Sequence, residues 1–264
     1  FFLHELPFDR SSMTRWRQRM GEDKLTALLQ ESLAVAVKVG AAKPSDFTKV
    51  IVDTTVAEKN VAFPTDAKLI NRARERLIKM ARSHNIKLRQ SYKRVGKFAL
   101  IMHQRYAHAK QFKRAKRKLR TLKTYLRRTI RDIKRKVIGT GAMENIFSAA
   151  LHQASRVLNQ KPRDGGRHVY ALHAPEVECI GKGKSHKPYE FGVKASIATT
   201  LNRCKGGQFA IHAKVLPGRP YDGHTLETIL PDIEKLTGAT LKRILADAGY
   251  RGHNAAQVHK FHVF

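Results

Sequence analysis

The sequence has few cysteines, few acidic residues and no long apolar run. Its two cysteines, Cys179 and Cys204, are too few for a disulfide framework and fit a reducing compartment. No 18 consecutive residues are apolar, which argues against a transmembrane helix, and the first residues lack the pattern of a secretory signal. We therefore expect a cytoplasmic protein with no membrane partner.

Positive charge dominates what the sequence does contain. Among 264 residues, Lys and Arg number 52 and Asp and Glu 21, so the formal net charge is +31. Hydrophobic residues make up 42% of the chain, which is enough for a core and excludes a wholly disordered basic tail. Such a surplus repels itself unless a polyanion neutralises it, and nucleic acid is the commonest polyanion partner. Charge alone does not separate an enzyme from a structural nucleic-acid binder.

Two short helices are predicted within the first forty residues. The first begins at a cap supplied by Ser11 or Ser12, and the second stops at Gly40. Arginines along the first helix suit DNA binding, whereas the apolar spacing also suits a core-forming helical pair, and no complete helix-turn-helix pattern decides between them. We predict an N-terminal helical unit over residues 1–45.

A strand rich in β-branched residues is predicted over residues 49–56, and it contains Asp53. After it, a helix is predicted from Thr65 to His84, with Thr65 as its cap, and a second helical stretch from Val95 to Val137.

The second stretch combines an apolar stripe with a basic surface on which Asp132 is the only acid. A solvated charged face normally mixes both signs, so we predict that this surface contacts a phosphate backbone. The predicted DNA-contacting residues are Lys113, Arg114, Lys116, Arg117, Lys118, Arg120, Lys123, Arg127, Arg128 and Arg131. A glycine-containing loop or linker is predicted at residues 163–167.

From residue 187 onward the pattern changes from helical to alternating. Alternating runs at residues 191–199 and 209–215, separated by a glycine turn at 205–207, predict a β-hairpin. A helix follows Asp222, and a further strand over residues 241–246 leads into Asp247.

Without the helical insertion, the elements follow the order strand, strand, strand, helix, strand. This order favours an α/β fold with a mixed sheet in which the first and fourth strands lie side by side. Asp53 and Asp247, at the ends of the first and last of these strands, would then meet at one edge of the sheet.

Two neighbouring carboxylates beside so much positive charge are typical of a divalent-metal site for phosphodiester chemistry. Mg²⁺ prefers carboxylate oxygens and water, and a substrate phosphate completes its coordination. Two ions about 3.5–4 Å apart activate the attacking oxygen and stabilise the leaving one. Structural roles stay open for both acids: Asp53 in capping the turn before Thr54, and Asp247 in fixing the turn at Gly249.

Eight motifs occur in order along essentially the whole chain. They are residues 6–12 (LPFDRSS), 50–55 (VIVDTT), 63–67 (FPTDA), 88–92 (LRQSY), 173–184 (HAPEVECIGKGK), 189–192 (YEFG), 220–226 (PYDGHTL) and 247–252 (DAGYRG). Together they resemble the DDE transposases of bacterial insertion sequences, in the group often called insertion sequence five.

The resemblance implies an RNase H-like core in which Asp53 and Asp247 are the first and second acids of the DDE triad. It implies cleavage of double-stranded DNA at the terminal inverted repeats of a transposable element, and joining of the freed 3′ hydroxyl to target DNA. Two Mg²⁺ or Mn²⁺ ions are implied as cofactors in the complete enzyme. A homodimer or higher oligomer on DNA in the bacterial cytoplasm, associated with the nucleoid when bound, and no small-molecule substrate are also implied.

The third acid of the family, a Glu, lies on a helix beyond the strand that follows the second aspartate. The sequence reaches residue 264 before that helix and begins without Met, so the resemblance implies a fragment truncated at both ends. Glu176, Glu178 and Glu190 belong to other motif positions and are not expected to replace the missing acid. We expect this polypeptide to bind DNA and to cleave it weakly or not at all by itself.

We accordingly predict three domains. Residues 46–57 with 188–264 form an incomplete RNase H-like catalytic core, residues 58–187 form a basic helical insertion and linker, and residues 1–45 form the N-terminal unit. Two other function classes stay open: a different RNase H-like nuclease or resolvase, which would share the aspartates but not strand transfer, and a non-catalytic basic nucleic-acid-binding protein.

Overall fold

The computed structural model describes residues 9–161, 168–181, 183, 185–256 and 260–263. The first residues of the 6–12 motif, the loop predicted at 163–167, and Lys182 and Lys184 of the 173–184 motif lie outside the described residues.

The chain forms two compact units. The first unit consists of Phe1–Ala57 and Lys194–Phe264, and the second of Glu58–Val193. The elements follow in the order α1 (Arg10–Arg19), α2 (Glu22–Lys38), β1 (Lys49–Glu58), α3 (Asp66–Ser83), α4 (Lys93–His108), α5 (Phe112–Val137), α6 (Gly141–Asn159), β2 (Glu178–Gly181), β3 (Tyr189–Thr200), β4 (Ala210–Leu216), α7 (Leu226–Thr237), β5 (Arg243–Ala246) and β6 (Lys260–Val263).

The first unit is built on a mixed sheet with strand order β4–β3–β1–β5–β6. β5 pairs with β1 in parallel, with Lys49 opposite Arg243 and Ile51 opposite Leu245, and β6 pairs in parallel with β5. β3 and β4 form the predicted antiparallel hairpin. The α/β class, the mixed sheet and the adjacency of β1 and β5 are therefore confirmed, whereas β6 is a strand that the sequence pattern did not predict.

The core of the first unit lies against one face of this sheet. Val50 and Val52 of β1 and Ile244 of β5 are buried in one cluster with the apolar stripe of α7, which includes Ile229 and Ile233. Alternation along a strand points neighbouring side chains to opposite faces. The half-buried Ile51 and the exposed Asp53 therefore lie on the other face of the sheet.

The second unit is a helical assembly around α5. The apolar stripe of α5, with Leu122, Leu126, Ile130 and Ile133, is buried in a cluster that also holds residues of α3, α4 and α6. In the same unit, β2 pairs in antiparallel with residues 189–192 of β3. No helix in the described ranges combines the length and the apolar character that crossing a membrane requires.

The prediction of one helical stretch from Val95 to Val137 is wrong. The chain forms two helices, α4 and α5, and the break between them lies at residues 109–111, where Lys110 has a left-handed backbone with φ of 55°. The left-handed residue interrupts the helical path, and α4 then packs against α5.

The caps of two helices show one correction and one confirmation. The side chain of Asp9, not Ser11 or Ser12, caps α1, because its Oδ1 accepts a hydrogen bond from the backbone N–H of Ser11 at 2.8 Å. Thr65 caps α3 as predicted, since its Oγ1 accepts from the backbone N–H of Lys68 at 3.4 Å.

Candidate functional site

The two predicted acids lie close together at one end of a pair of parallel strands. Ile51 of β1 lies opposite Leu245 of β5, Asp53 follows two residues later on β1, and Asp247 comes directly after the end of β5 at Ala246. Both aspartates are exposed. The charges of both also act on the buried phenol of Tyr250. The structure therefore brings Asp53 and Asp247 to the same end of the β1–β5 pair.

The prediction that Asp53 ends its strand is wrong, because β1 continues to Glu58. What ends near Asp53 is the partner strand: β5 stops at Ala246, and Asp247 turns away into a short 3₁₀ helix over Ala248–Tyr250. The Oδ1 atom of Asp247 accepts a hydrogen bond from the backbone N–H of Gly249 at 2.9 Å, so this acid also fixes the turn.

A third carboxylate, Asp222, lies beside Asp247. Oδ1 of Asp247 and Oδ2 of Asp222 are 3.0 Å and 3.5 Å from the point that a Cβ on Gly249 would occupy. Sequence reasoning used Asp222 only to place the start of a helix. Its position in the 220–226 motif was the one sequence signal that singled it out.

Asp222 is already neutralised inside the first unit. It forms an ion pair with Lys194, whose side chain is only 15% exposed. Its Oδ1 also accepts a hydrogen bond from the hydroxyl of Thr54 at 2.7 Å. By contrast, neither Asp53 nor Asp247 forms an ion pair with any residue that the structure describes. The three acids therefore divide into one that is ion-paired and two that have no ion pair. Each of these two accepts one backbone N–H through Oδ1, Asp53 from Thr54 at 2.7 Å and Asp247 from Gly249.

Tyr250 adds a buried donor next to these acids. Its side chain is 0% exposed, and its hydroxyl has no hydrogen-bond partner of normal geometry among the described residues. Burial, together with the negative charges of Asp222, Asp53 and Asp247, raises the pKa of the Tyr250 phenol. Buried polar groups normally have partners, so an unsatisfied hydroxyl beside carboxylates is typical of a binding site rather than of a plain core.

These residues fit a hard divalent cation that is shared with a phosphate. Mg²⁺ typically takes one or two protein carboxylates and fills its other positions with water and phosphate oxygens. Asp53 and Asp247 supply that number of carboxylates. Within the described ranges, no three His, Cys, Asp or Glu side chains are arranged to hold a metal ion. The donor set therefore does not form an all-protein metal cage.

The ten predicted DNA-contacting residues all lie on α5, outside its buried stripe. Eight are exposed, and Lys118 and Lys123 are half-buried. Lys118 lies over the ring of Phe98 and Arg114 over the ring of Tyr106, at 5.9 Å and 5.8 Å from the ring centres. None of the ten forms an ion pair with an acid in the part of the chain that the structure describes. This surface is therefore positive and uncompensated.

Comparison with known proteins finds one similarity to a curated protein, "Uncharacterized protein ORF8 in nfe locus" of Rhizobium meliloti. The two sequences are 47% identical over 112 residues, which cover 42% of this chain and 54% of that protein. The chain thus matches about half the length of this relative, whose name assigns no activity. No protein-family model matches the chain, and no solved structure is detectably similar to it.

Proposed function

We propose that this chain is part of a DDE transposase of the bacterial insertion-sequence type, with an RNase H-like core that cleaves element ends and transfers strands. The observation that supports the proposal is the proximity of two exposed carboxylates, Asp53 on β1 and Asp247 directly after the end of the parallel neighbour β5. It is the arrangement that the eight sequence motifs lead us to expect, and it suits two carboxylates that share one cation.

In the proposed mechanism, Asp53 and Asp247 would hold divalent metal, Mg²⁺ or Mn²⁺. Metal held there would supply Lewis-acid stabilisation of the attacking and leaving oxygens of the phosphodiester. The turn at Gly249 fixes Asp247, because its backbone N–H holds one carboxylate oxygen. Lys194 neutralises Asp222, which limits the repulsion among the three acids when the site is empty of cations.

The basic surface of α5 is proposed to hold double-stranded DNA through its phosphates. Neutralising phosphates releases counterions, so the logarithm of affinity should fall with the logarithm of salt concentration with a slope of about −0.9 per contact. Pairing of two DNA ends needs more than one protomer, so a homodimer or higher oligomer on DNA in the cytoplasm belongs to the proposal.

The metal part of the proposal is tested by titrating the chain with Mn²⁺ in a calorimeter. We expect binding to the native chain, and its loss in the double variant Asp53→Asn, Asp247→Asn. The matched control is Asp232→Asn, because Asp232 is an aspartate of the same unit that pairs with Lys214 at 2.5 Å. If the native chain binds no divalent cation, the metal part of the proposal is overturned and the remaining interpretation is a non-catalytic DNA-binding protein.

The DNA part is tested separately with a labelled duplex over a range of salt concentrations. We expect steep salt dependence in the native chain and in the double aspartate variant alike. A flat salt response would remove the role of α5. Joining of pre-cut 3′ ends to a second duplex would distinguish a transposase from a resolvase. Strong cleavage by these 264 residues in Mg²⁺ would contradict the expectation that they cleave DNA weakly or not at all by themselves.

A further inference from the structure

The second unit contains a cavity of ≈640 Å³ between α5 and the turn that precedes α4. Five cationic side chains and one acid account for its charge. We call it the basic cavity, and these lining residues are Arg89, Arg128, Arg131, Asp132, Lys134 and Arg135. Three of the cations, Arg89, Lys134 and Arg135, are not among the ten predicted DNA contacts.

The one acid of the basic cavity is engaged elsewhere. Asp132 is buried, and its Oδ2 accepts a hydrogen bond from the backbone N–H of Arg89 at 2.8 Å. Its Oδ1 lies 3.0 Å from Nζ of Lys136, which is outside the cavity lining. Burial opposes the charge of Asp132, but the bonds to Arg89 and Lys136 outweigh it and lower the pKa of this carboxyl.

The five cations outnumber the single acid that lines the cavity with them, whose charge acts on Arg135 as well as on Lys136. No ion pair links the side chains of Arg89, Arg128, Arg131, Lys134 or Arg135 to an acid among the described residues. Gathering five positive charges around one concave space is unfavourable in the free protein and becomes favourable when an anion enters. Guanidinium groups bind phosphate oxygens through paired hydrogen bonds, which makes phosphate the anion that the lining fits best.

The turn that lines one side of the basic cavity is held by contacts within the second unit. The buried Arg74 donates to the carbonyl oxygen of Ser91 at 2.6 Å, which holds the turn. Tyr92, another lining residue, has a left-handed backbone with φ of 51°, and its ring stacks on Tyr125 at 4.5 Å. Such a backbone persists in a non-glycine residue only where its surroundings enforce it. The backbone next to Arg89 is therefore held in place, and the five cationic side chains extend from it and from α5 into solvent.

We propose that the basic cavity binds a backbone phosphate of the nucleic acid that runs along α5. Arg128 and Arg131 belong both to the exposed row of predicted DNA contacts and to the cavity lining, so a strand that follows the row reaches the cavity. The assignment of this phosphate to nucleic acid rests on the proposed function, whereas the prediction that the cavity binds phosphate does not.

The test compares two charge-matched double variants of the full chain. The cavity variant is Arg89→Gln with Arg135→Gln, and the control is Arg117→Gln with Arg120→Gln, two exposed arginines of α5 outside the cavity. Glutamine at position 89 keeps the backbone N–H that Asp132 accepts, so the turn is retained. The probes are inorganic phosphate, followed by phosphorus NMR, and a labelled duplex oligonucleotide.

We expect phosphate affinity to fall at least about 10-fold in the cavity variant and less than about 2-fold in the control, because paired guanidinium bonds are lost only in the former. Duplex DNA should displace phosphate from the native chain. Equal loss in both variants would mean diffuse attraction and would overturn the proposal. If phosphate binds but duplex DNA does not displace it, the conclusion that the phosphate comes from nucleic acid is overturned. If phosphate binds but the chain binds no DNA at all, the proposed function is contradicted and the cavity remains a phosphate site.

Discussion

Asp132 of the second unit and the pair Asp53 and Asp247 of the first unit are held in opposite ways. In the second unit Asp132 is buried, accepts the backbone N–H of Arg89 and pairs with Lys136. In the first unit Asp53 and Asp247 are exposed and have no ion-pair partner in the described part of the chain. An acid that is satisfied by its own fold serves structure, whereas acids left unpaired side by side are available to a ligand.

Arginines in the second unit show the same contrast. Arg74 is 1% exposed and is bonded to the carbonyl oxygen of Ser91 and to Asn71 at 2.6 Å and 2.9 Å. The arginines along α5 face solvent and form no ion pair with an acid among the described residues. Charged side chains that are buried and hydrogen-bonded should therefore control the stability of the fold. Exposed charged side chains without an ion pair should control the binding of ligands.

The largest expected effect is the loss of stability in Arg74→Met. The change removes the donors that Ser91 and Asn71 use and leaves a poorly filled space beside Gly96. We expect the free energy of unfolding to fall by about 3 kcal/mol, since buried acceptors are left without partners. Urea denaturation measures this loss. Arg72→Met, an exposed arginine of the same helix, is the control and should change stability by less than about 0.5 kcal/mol.

The next effect separates binding from stability in the first unit. In Asp53→Asn with Asp247→Asn, we expect the unfolding free energy to stay within about 0.5 kcal/mol, because both side chains are exposed and Asn still accepts the N–H of Gly249. Mn²⁺ affinity should fall more than about 100-fold, since even partners outside the metal's own ligands are worth 10–100-fold. A large stability loss with unchanged metal affinity would assign both acids a structural role.

Sequence pattern predicted the elements whose signals are local or follow from chain order. The cap at Thr65, the hairpin of β3 and β4 and the helix that follows Asp222 all carry local signals. The adjacency of β1 and β5 followed from the order of strands and helix, because few sheet topologies accommodate that order.

Features that depend on long-range contact could not be predicted in this way. The break between α4 and α5 occurs at Lys110, which is neither glycine nor proline, and apolar residues keep a helical spacing on both sides of it. The pairing of Lys194 with Asp222 joins a strand to a distant turn, and a lysine in an alternating strand is normally a solvated one. Arg89 reaches the basic cavity only through the folding of its turn onto α5.

A smaller effect concerns acid stability. His212 on β4 is 6% exposed, and burial lowers the pKa of its imidazole, although Asp232 opposes this shift. The unfolded chain, with a histidine pKa of about 6.5, therefore binds the proton first as the pH falls. Its contribution to stability is complete above about pH 6.5 and declines below it, by at most about 1.4 kcal/mol per pH unit.

Denaturation at pH 7 and at lower pH measures this effect. His212→Gln should remove much of the decline, while the exposed His108→Gln should not. In the second unit, burial likewise lowers the pKa of His103, although Asp66 opposes this shift. If the loss of stability at low pH persists in His212→Gln and disappears in His103→Gln, the acid-sensitive step lies in the helical assembly instead.

The smallest expected effect is that of Tyr250→Phe, and it tests whether the acidic site sacrifices stability for binding. Among the described residues the buried hydroxyl has no hydrogen bond of normal geometry, and only Thr54 interacts with it, so its removal should raise the unfolding free energy by about 0.5–1 kcal/mol in the metal-free protein. If the hydroxyl serves the ligand of Asp53 and Asp247, the same variant should bind Mn²⁺ more weakly than the native chain. A stability loss of more than about 1 kcal/mol would show that the hydroxyl is already bonded within the fold, and Tyr250 would then resemble Asp132 rather than the two open aspartates.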